Sequence, residues 1–414
     1  MVQRVQVILL KGKNEKEAER LCHLAKNLYN AANYEMRQSF IAGKRKGNYT
    51  ISTEFAKSNQ PDYRALPAQC SQQTINILEK NWKSFFSLCK EYKKNPKKFK
   101  GRPHLPKYKD KNGCSILIFP SQTIRAKLTN GGYIKFLKGI SLRIKSTIPL
   151  EKIQQVRIVP EATCFKCEIV YEKEVKNAEN LKLENKASVD LGVNNLVTMY
   201  SNVDGKSFII NGKPLKSINQ FYNKKLAVLK SYVGDSSSKR IKNFTKKRNN
   251  KVKDFIHKTT KTVVGICLKN KIGHLIVGHN KKWKQEINIG SENNQKFVCI
   301  PFSMLQSQLK YKCEEVGIIY EETEESYTSK CDHFVNETME HHDIYKGKRV
   351  CRGLFKSSTG KILNADVNGA IGIMRKVTND VAWRPVGSVV ASNPVKITVP
   401  YGTSHLTKLF DKCL

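Results

Sequence analysis

The chain of 414 residues contains no run of 18 or more apolar residues, so a membrane-spanning helix is not expected. Nor is a secretory signal expected. Its first apolar stretch, Val5 to Leu10, is too short and reads as a strand. No internal repeat of fixed period is present. Acid is scarce: 35 Asp and Glu stand against 74 Lys and Arg, a formal net charge of +39. Charge of this size speaks of partners rather than fold. A polyphosphate is the usual partner, because counterion release from a nucleic-acid backbone supplies much of the affinity. A membrane surface is the remaining alternative. Twelve cysteines are scattered, mostly within apolar stretches, as small buried hydrophobes are. Without a secretory signal they point to a reducing, cytoplasmic setting rather than a disulfide framework.

What is present divides into regions. The length suggests two to four domains, and 39% apolar residues suffice for real cores. Residues 1–11 read as a strand. Asn14 with Glu17 fits a capping box for the helix that follows, and Leu21, Leu24, Ala25, Leu28 and Ala32 keep helical spacing. Ile75, Leu78, Trp82, Phe85 and Phe86 mark a second helix, so 13–95 is mostly helical. From Lys93 to Lys111 the chain is basic, with Lys97, Lys98, Lys100, Arg102 and Lys107. Pro96, Pro103 and Pro106 forbid a continuous helix there. Phe99 and Tyr108 interleave with these charges, as suits phosphate tracking and base stacking; a solvated linker is the plainer alternative.

Residues 114–175 read as short strands. Cys164 and Cys167 form an isolated CxxC, read as core packing. After a polar linker at 176–186, strands at 187–190, 196–200, 207–210, 274–277 and 318–322 alternate with helices at about 215–271, 302–316 and 364–377. That order suits a mixed α/β sheet. The stretch 239–261 carries ten Lys or Arg and one acid, Asp254, with Phe244, Val252, Phe255, Ile256 and Val263 as an apolar stripe. One face of such a helix can pack. Its other face, with Lys239, Arg240, Lys246, Lys247, Arg248 and Lys251, can lie along phosphates. Residues 377–414 read as an irregular tail.

Three acids stand at the ends of regular elements: Asp190 in Val189-Asp-Leu-Gly192, Glu322 in the acid run after Gly317-Ile-Ile-Tyr320, and Asp366 in Asn364-Ala-Asp-Val-Asn-Gly369. Gly192 lets the chain turn, and Asn364 or Asp366 could cap the helix that follows. Taken singly, each is more often a turn, a solvated strand end or a cap. Mg²⁺ is a hard ion that prefers oxygen ligands, and two such ions can flank a scissile phosphate. Strand-Asp, strand-Glu and helix-Asp, in that order in so basic a chain, is what an RNase H-like nuclease needs. Glu324, two residues on from Glu322, is the runner-up for the second acid.

These residues resemble the TnpB family of transposon-encoded RNA-guided nucleases, relatives of the type V CRISPR effectors. The resemblance rests on Ala187-Ser-Val-Asp-Leu-Gly-Val193, Glu324-Glu-Ser-Tyr-Thr-Ser-Lys-Cys-Asp332, Gly347-Lys-Arg-Val-Cys-Arg-Gly-Leu-Phe355 and Leu363-Asn-Ala-Asp-Val-Asn-Gly-Ala370. Weaker echoes are Leu66-Pro67 with Gln72-Gln73 ahead of Trp82-Lys-Ser-Phe-Phe86, Pro106-Lys-Tyr-Lys109, and Val389-Val-Ala-Ser-Asn-Pro394. The resemblance spans essentially the whole chain and is most specific in the last third.

It implies a wedge β-barrel split between 1–12 and 100–178, with a helical recognition domain at 13–99 inserted in it. It further implies an RNase H-like (RuvC) nuclease domain at 184–376, with an insert at about 328–360. The implied activity is RNA-guided, Mg²⁺-dependent cleavage of double-stranded DNA. A guide RNA and target DNA are the implied partners, and Asp190, Glu322 and Asp366 the implied metal ligands. In such systems base pairing reads sequence, while the protein reads shape and a short flanking motif. Gln72 and Gln73 fall near a helix that reads that motif in relatives. Many relatives carry two CxxC pairs between the second and third acids. Here that interval offers Cys331 and Cys351, with His333, His341 and His342 between, so a zinc-free insert is expected, with a mixed Cys/His zinc site as the alternative. A nuclease-silent RNA-guided repressor and a CRISPR-associated miniature type V effector are the competing readings. Monomer and asymmetric dimer both remain open.

Overall fold

A computed structural model describes all residues except 125–131, 138, 176, 177, 179, 235, 280–289, 352, 379–393 and 400–414. The chain forms two compact units, the first Gln3–Lys173 and the second from Glu174 onward.

The first unit opens with β1 (Val2–Leu9), then α1 (Lys13–Ile41), α2 (Asn48–Lys57), α3 (Pro61–Arg64) and α4 (Ala68–Lys94). β2 (Leu117–Pro120), β3 (Tyr133–Ile134), β4 (Ile144–Lys145), β5 (Ile153–Glu161) and β6 (Cys164–Lys173) follow. Leu21, Ala25, Leu28 and Ala32 of α1 and Ile75, Leu78 and Trp82 of α4 are buried in one core. Trp82 Nε1 donates to Asn33 Oδ1 at 3.1 Å, so burying the indole leaves no orphan donor. The expected capping box is not used. Asn14 instead exchanges two bonds with the Arg143 backbone, each 2.8 Å, and Glu17 accepts from Ser141 N and Arg20. Gly12 occupies the cap position, so these side chains were free to staple α1 to a distant loop.

The strands form one sheet in the order β1-β6-β5-β2 and a β3-β4 ribbon. Among the described residues the edges β1 and β2 are not bonded to each other, so a sheet and a ribbon stand where a barrel was expected. Cys164 and Cys167 are both buried in β6.

The second unit contains β7 (Lys182–Asp190), β8 (Asn195–Ser201), β9 (Ser207–Asn211), α5 (Lys213–Ser231), α6 (Lys239–Lys269), β10 (Ile272–Gly278), α7 (Ser291–Val298) and α8 (Phe302–Val316). β11 (Ile319–Thr323), β12 (Lys348–Cys351), β13 (Leu354–Lys356), β14 (Ile362–Asn364), α9 (Ala365–Thr378) and β15 (Val395–Ile397) complete it. The helix expected over 215–271 is two helices, and Ser238 caps the second by accepting from Ile241 N at 3.2 Å. The tail expected to be irregular adds β15, parallel to β9; the rest of it lies mostly outside the described residues.

The main sheet runs β11-β10-β7-β8-β9-β15. β7, β8 and β9 form an antiparallel meander, while β10 lies parallel to β7 and β11 parallel to β10. Parallel neighbours need crossover helices, which α5, α6 and α8 supply. Gly317, left-handed at φ 81°, ends α8 and sets where β11 begins. One face of the sheet carries Ala187, Val189, Leu275 and Val277 into a core with Phe255, Ile256, Leu305 and Leu309. α9 covers the other face. From Val367 to Arg375 it is buried all round, between that face and the β12-β13-β14 insert whose Phe355 joins its core.

Candidate active site

The site lies where β7, β10 and β11 end beneath the first turns of α9. Asp190 is the last residue of β7. Gly192 follows it in a turn so tight that a Cβ there would lie 2.6 Å from Asn195 O, which accounts for the glycine. Asn364 Oδ1 accepts from the amides of Asp366 and Val367, at 3.0 and 3.3 Å, and so caps α9. That places Asp366 in the first turn, where Asn195 Nδ2 holds its Oδ2 at 2.7 Å. Ser188 Oγ donates to Ala370 O at 2.6 Å and pins α9 to β7. Gly369 lets the helix come down onto Asp190, whose Oδ2 would be 2.9 Å from a Cβ there.

The two aspartates expected from the sequence are thus together. Glu322 does not join them. In the ladder it pairs with Val277, whose other neighbour is Val189, and both valines belong to the opposite face. Strand side chains alternate, so Glu322 is carried to that opposite side, where it is exposed and accepts from Tyr320 OH at 2.9 Å. Glu324 is exposed as well and bonded to Ser326 Oγ.

The acid that does reach the site is Glu325. Its side chain lies over Gly278, at the end of β10, beside Ile373 of α9, and a Cβ on Gly278 would collide with it. Burial pushes the Glu325 carboxyl up to about 7, against the pull of Lys376. Asp190 is held well above the usual carboxylate range, first by burial, then by the charges of Glu325 and Asp366. The Leu191 amide and Arg349 pull the other way. The acid run 321–325 advertised this residue in the sequence. Which of its acids would face α9 depended on register, which the sequence does not print.

Among the described residues no group of three or more His, Cys, Asp or Glu is arranged to hold a metal ion. In the insert, Cys331 is buried with its thiol on Thr338 O, and Cys351 is exposed. Asp332 and Glu337 knit this loop. Asp332 Oδ2 accepts from Ser357 Oγ and from Ser358 N and Oγ at 2.7–2.9 Å. Glu337 accepts from the amides of Asp332 and Lys346, both at 2.7 Å.

The basic segments differ from one another. Lys97, Lys98, Lys100, Arg102 and Lys107 are exposed, Lys98 beside Glu91 at 2.8 Å. The backbone after them is strapped to α1: Asn33 and Arg37 bond Pro106 O, Asn30 bonds both polar groups of Lys109, and Lys26 bonds Lys111 O. Arg37 also sits 4.8 Å from the Tyr108 ring. In α6, Lys239, Arg240, Lys247 and Lys251 are exposed and Lys246 is half-buried. Arg248 departs from the expected phosphate role. Its guanidinium is taken up by Asn219 Oδ1 at 2.6 and 2.8 Å and Cys299 O at 3.0 Å, and so braces α6 against α5. Gln72 is exposed on α4 in a polar groove with Asn48, Ser52 and Asn76, and Gln73 is half-buried.

Comparison with known proteins bears on both halves of this site. The model of a family described as a probable transposase (OrfB_IS605) matches residues 168–284, which include Asp190. The Cas12f1-like TNB domain model matches residues 302–373, which include Glu325 and Asp366. The TnpB-like protein ORF457 of Acidianus two-tailed virus is 25% identical over 435 residues, covering 94% of this chain and 90% of the viral protein. The chain is thus similar to a TnpB-like protein along nearly its whole length. The cryo-EM structure of a Cas12f1-sgRNA-target DNA complex shares its fold, with a TM-score of 0.52 over 86% of this chain and 82% of the other, at 17% identity. No described helix of the chain is long and apolar enough to cross a membrane.

Proposed function

We propose that this chain is an RNA-guided DNA endonuclease whose active site is Asp190, Asp366 and Glu325. The observation that carries the reading is the convergence of these acids, from two strand ends and one helix, on a single side of the sheet. The strand order, a three-stranded antiparallel meander extended by two parallel strands, supports an RNase H-like (RuvC) nuclease domain over 184–376. The first unit's sheet and helices are assigned the wedge and recognition roles. Its exposed lysines and those of α6 suit the phosphates of a guide RNA and a target duplex, the partners named for the structural relative.

The donor set fits Mg²⁺ in kind. All three groups offer oxygen, and each lacks the soft sulfur or imidazole that would favour zinc. The upward push on Asp190 from its two neighbours is the repulsion that a bound cation relieves. Mg²⁺, when bound, supplies positive charge for the scissile phosphate and a more acidic attacking water. The chain's own part is placement. Asn195 fixes one Asp366 oxygen and leaves the other free to bind. β7 and α9, pinned by Ser188, hold Asp190 against Asp366. Burial beneath α9 keeps bulk water from screening the cluster.

The test is co-expression with the DNA that flanks the gene, sequencing of the RNA that copurifies, and cleavage of a plasmid bearing a randomised flank. A discrete RNA with Mg²⁺-dependent cutting, abolished by EDTA and by Asp190→Ala, is the expected result. RNA-dependent target binding without cutting would move the assignment to a silent repressor. No discrete RNA would overturn guided action.

A further inference from the structure

His333 is fully buried in a short helical turn of the insert, yet it is not packed among apolar groups alone. Its Nε2 lies 2.7 Å from Thr328 O, and its Nδ1 lies 2.8 Å from Arg375 Nη1 of α9. A carbonyl can only accept and a guanidinium can only donate. The ring proton is therefore on Nε2, and Nδ1 accepts. Burial, with Arg375 alongside, pushes the imidazole down to about 4 against the Thr328 bond, so the ring stays neutral and keeps that acceptor.

The ring reaches this position because residue 372 is glycine. A Cβ on Gly372 would stand 2.5 Å from His333 Nε2 and 2.7 Å from Thr328 O. Gly369, three residues earlier on the same helix, makes the equivalent room for Asp190. The chain of bonds continues past Thr328. Its amide and its hydroxyl both donate to Glu325 O, at 3.2 and 2.8 Å. Arg375 and Asp366 belong to one buried helix, so the path runs from the helix that carries one acid to the turn that carries another.

We propose that His333 is a positioning residue for the carboxylate site: through Thr328 it ties the turn bearing Glu325 to α9, and so fixes Glu325 against Asp190 and Asp366. This rests on the assignment of Glu325 as the third acid. Glu325 lies beyond the end of β11 and outside its ladder, which is why a tie from α9 is needed there.

The test uses full-length protein carrying its copurified RNA. Mn²⁺ binding is followed by electron paramagnetic resonance, and single-turnover cleavage is measured beside it. His333→Phe keeps a ring but neither bond, while His333→Gln offers an amide donor and an acceptor. Thr328→Val removes one hydroxyl, and Thr328→Ser keeps it. The expected result is a roughly 10–100-fold loss of Mn²⁺ affinity and of cleavage rate in His333→Phe and Thr328→Val, the size typical of groups that orient ligands. RNA binding stays unchanged, and His333→Gln and Thr328→Ser recover most of the loss. Should His333→Phe not fold, the Thr328 pair decides alone. Wild-type Mn²⁺ affinity in Thr328→Val, or equal losses in Val and Ser, overturns the proposal. Glu325→Gln separates the two failures. If it leaves Mn²⁺ binding intact, the site assignment falls and the positioning role falls with it. If it abolishes binding while the His333 and Thr328 variants bind normally, only the positioning role falls.

Discussion

The two faces of the six-stranded sheet are built from the same strands and do opposite work. On one, Val189 and Val277 meet Phe255 and Leu305 in an apolar core. On the other, Ser188 and Asp190 of β7 meet a single helix whose glycines admit polar groups to its surface. The first face anchors the sheet on α6 and α8, so the second can tolerate acids that repel one another. The cost appears in the raised carboxyls of Asp190 and Glu325.

The largest expected effect breaks the polar face without touching the apolar one. Asp190→Ala and Asp366→Ala should each lower single-turnover cleavage by roughly 10³-fold or more, as losses from groups acting as a unit do. Asp190→Asn should melt at or above the wild-type temperature in EDTA, because it removes a destabilised charge. A clear drop in its melting temperature would show that the acid serves folding. The reverse experiment is Phe255→Ala. It should cost about 3–5 kcal/mol in urea unfolding, and activity should fall only in proportion to the unfolded fraction.

A pH series sharpens the polar side. The folded His333 titrates near 4 against an ordinary 6.5, so the unfolded chain binds the extra proton between those values. Its contribution is fully present above pH 6.5 and is lost as pH falls toward 4, about 3 kcal/mol in all. Urea midpoints at several pH values, compared with His333→Gln, would check this; parallel curves for the two proteins would refute it. A smaller effect concerns the acid run. Glu322→Gln should leave cleavage within about three-fold of wild type, in the range of an ordinary surface substitution. A loss as large as that of Glu325→Gln would return Glu322 to the site. The smallest is electrostatic. Replacing Lys97, Lys100 and Arg102 by Ala should make RNA binding less sensitive to salt. The log–log slope should shallow by about 0.7 for each single-strand phosphate no longer neutralised. Arg248→Ala should instead act mainly on stability, because it deletes the bonds to Asn219 and Cys299.

Much of this architecture was legible before the structure. The strands ending at Asp190 and Val277 and the helices at 302–316 and 364–377 follow from apolar patterning and fall within a few residues of where they were expected. Asn364 was recognisable as a cap, and the prolines of 96–106 did exclude a continuous helix. What escaped were elements with little pattern of their own. α7, the strands of the insert and β15 are short, and β15 forms only by pairing with β9, far away in the chain. The Asn14–Glu17 pair had the form of a capping box, but a loop more than a hundred residues away bound it more effectively.

By itself the sequence determined that the chain is basic, where the strongly patterned strands and helices lie, and that acids stand at the ends of three of them. Those are local properties of charge, spacing and turn chemistry. Only the tertiary structure decided which acids meet. The register of β11 on β10 turns Glu322 to the far face, and the turn at Thr328 brings Glu325 under α9. A shift of one residue exchanges the two faces of a strand, and register is set by contacts between segments that no local pattern records.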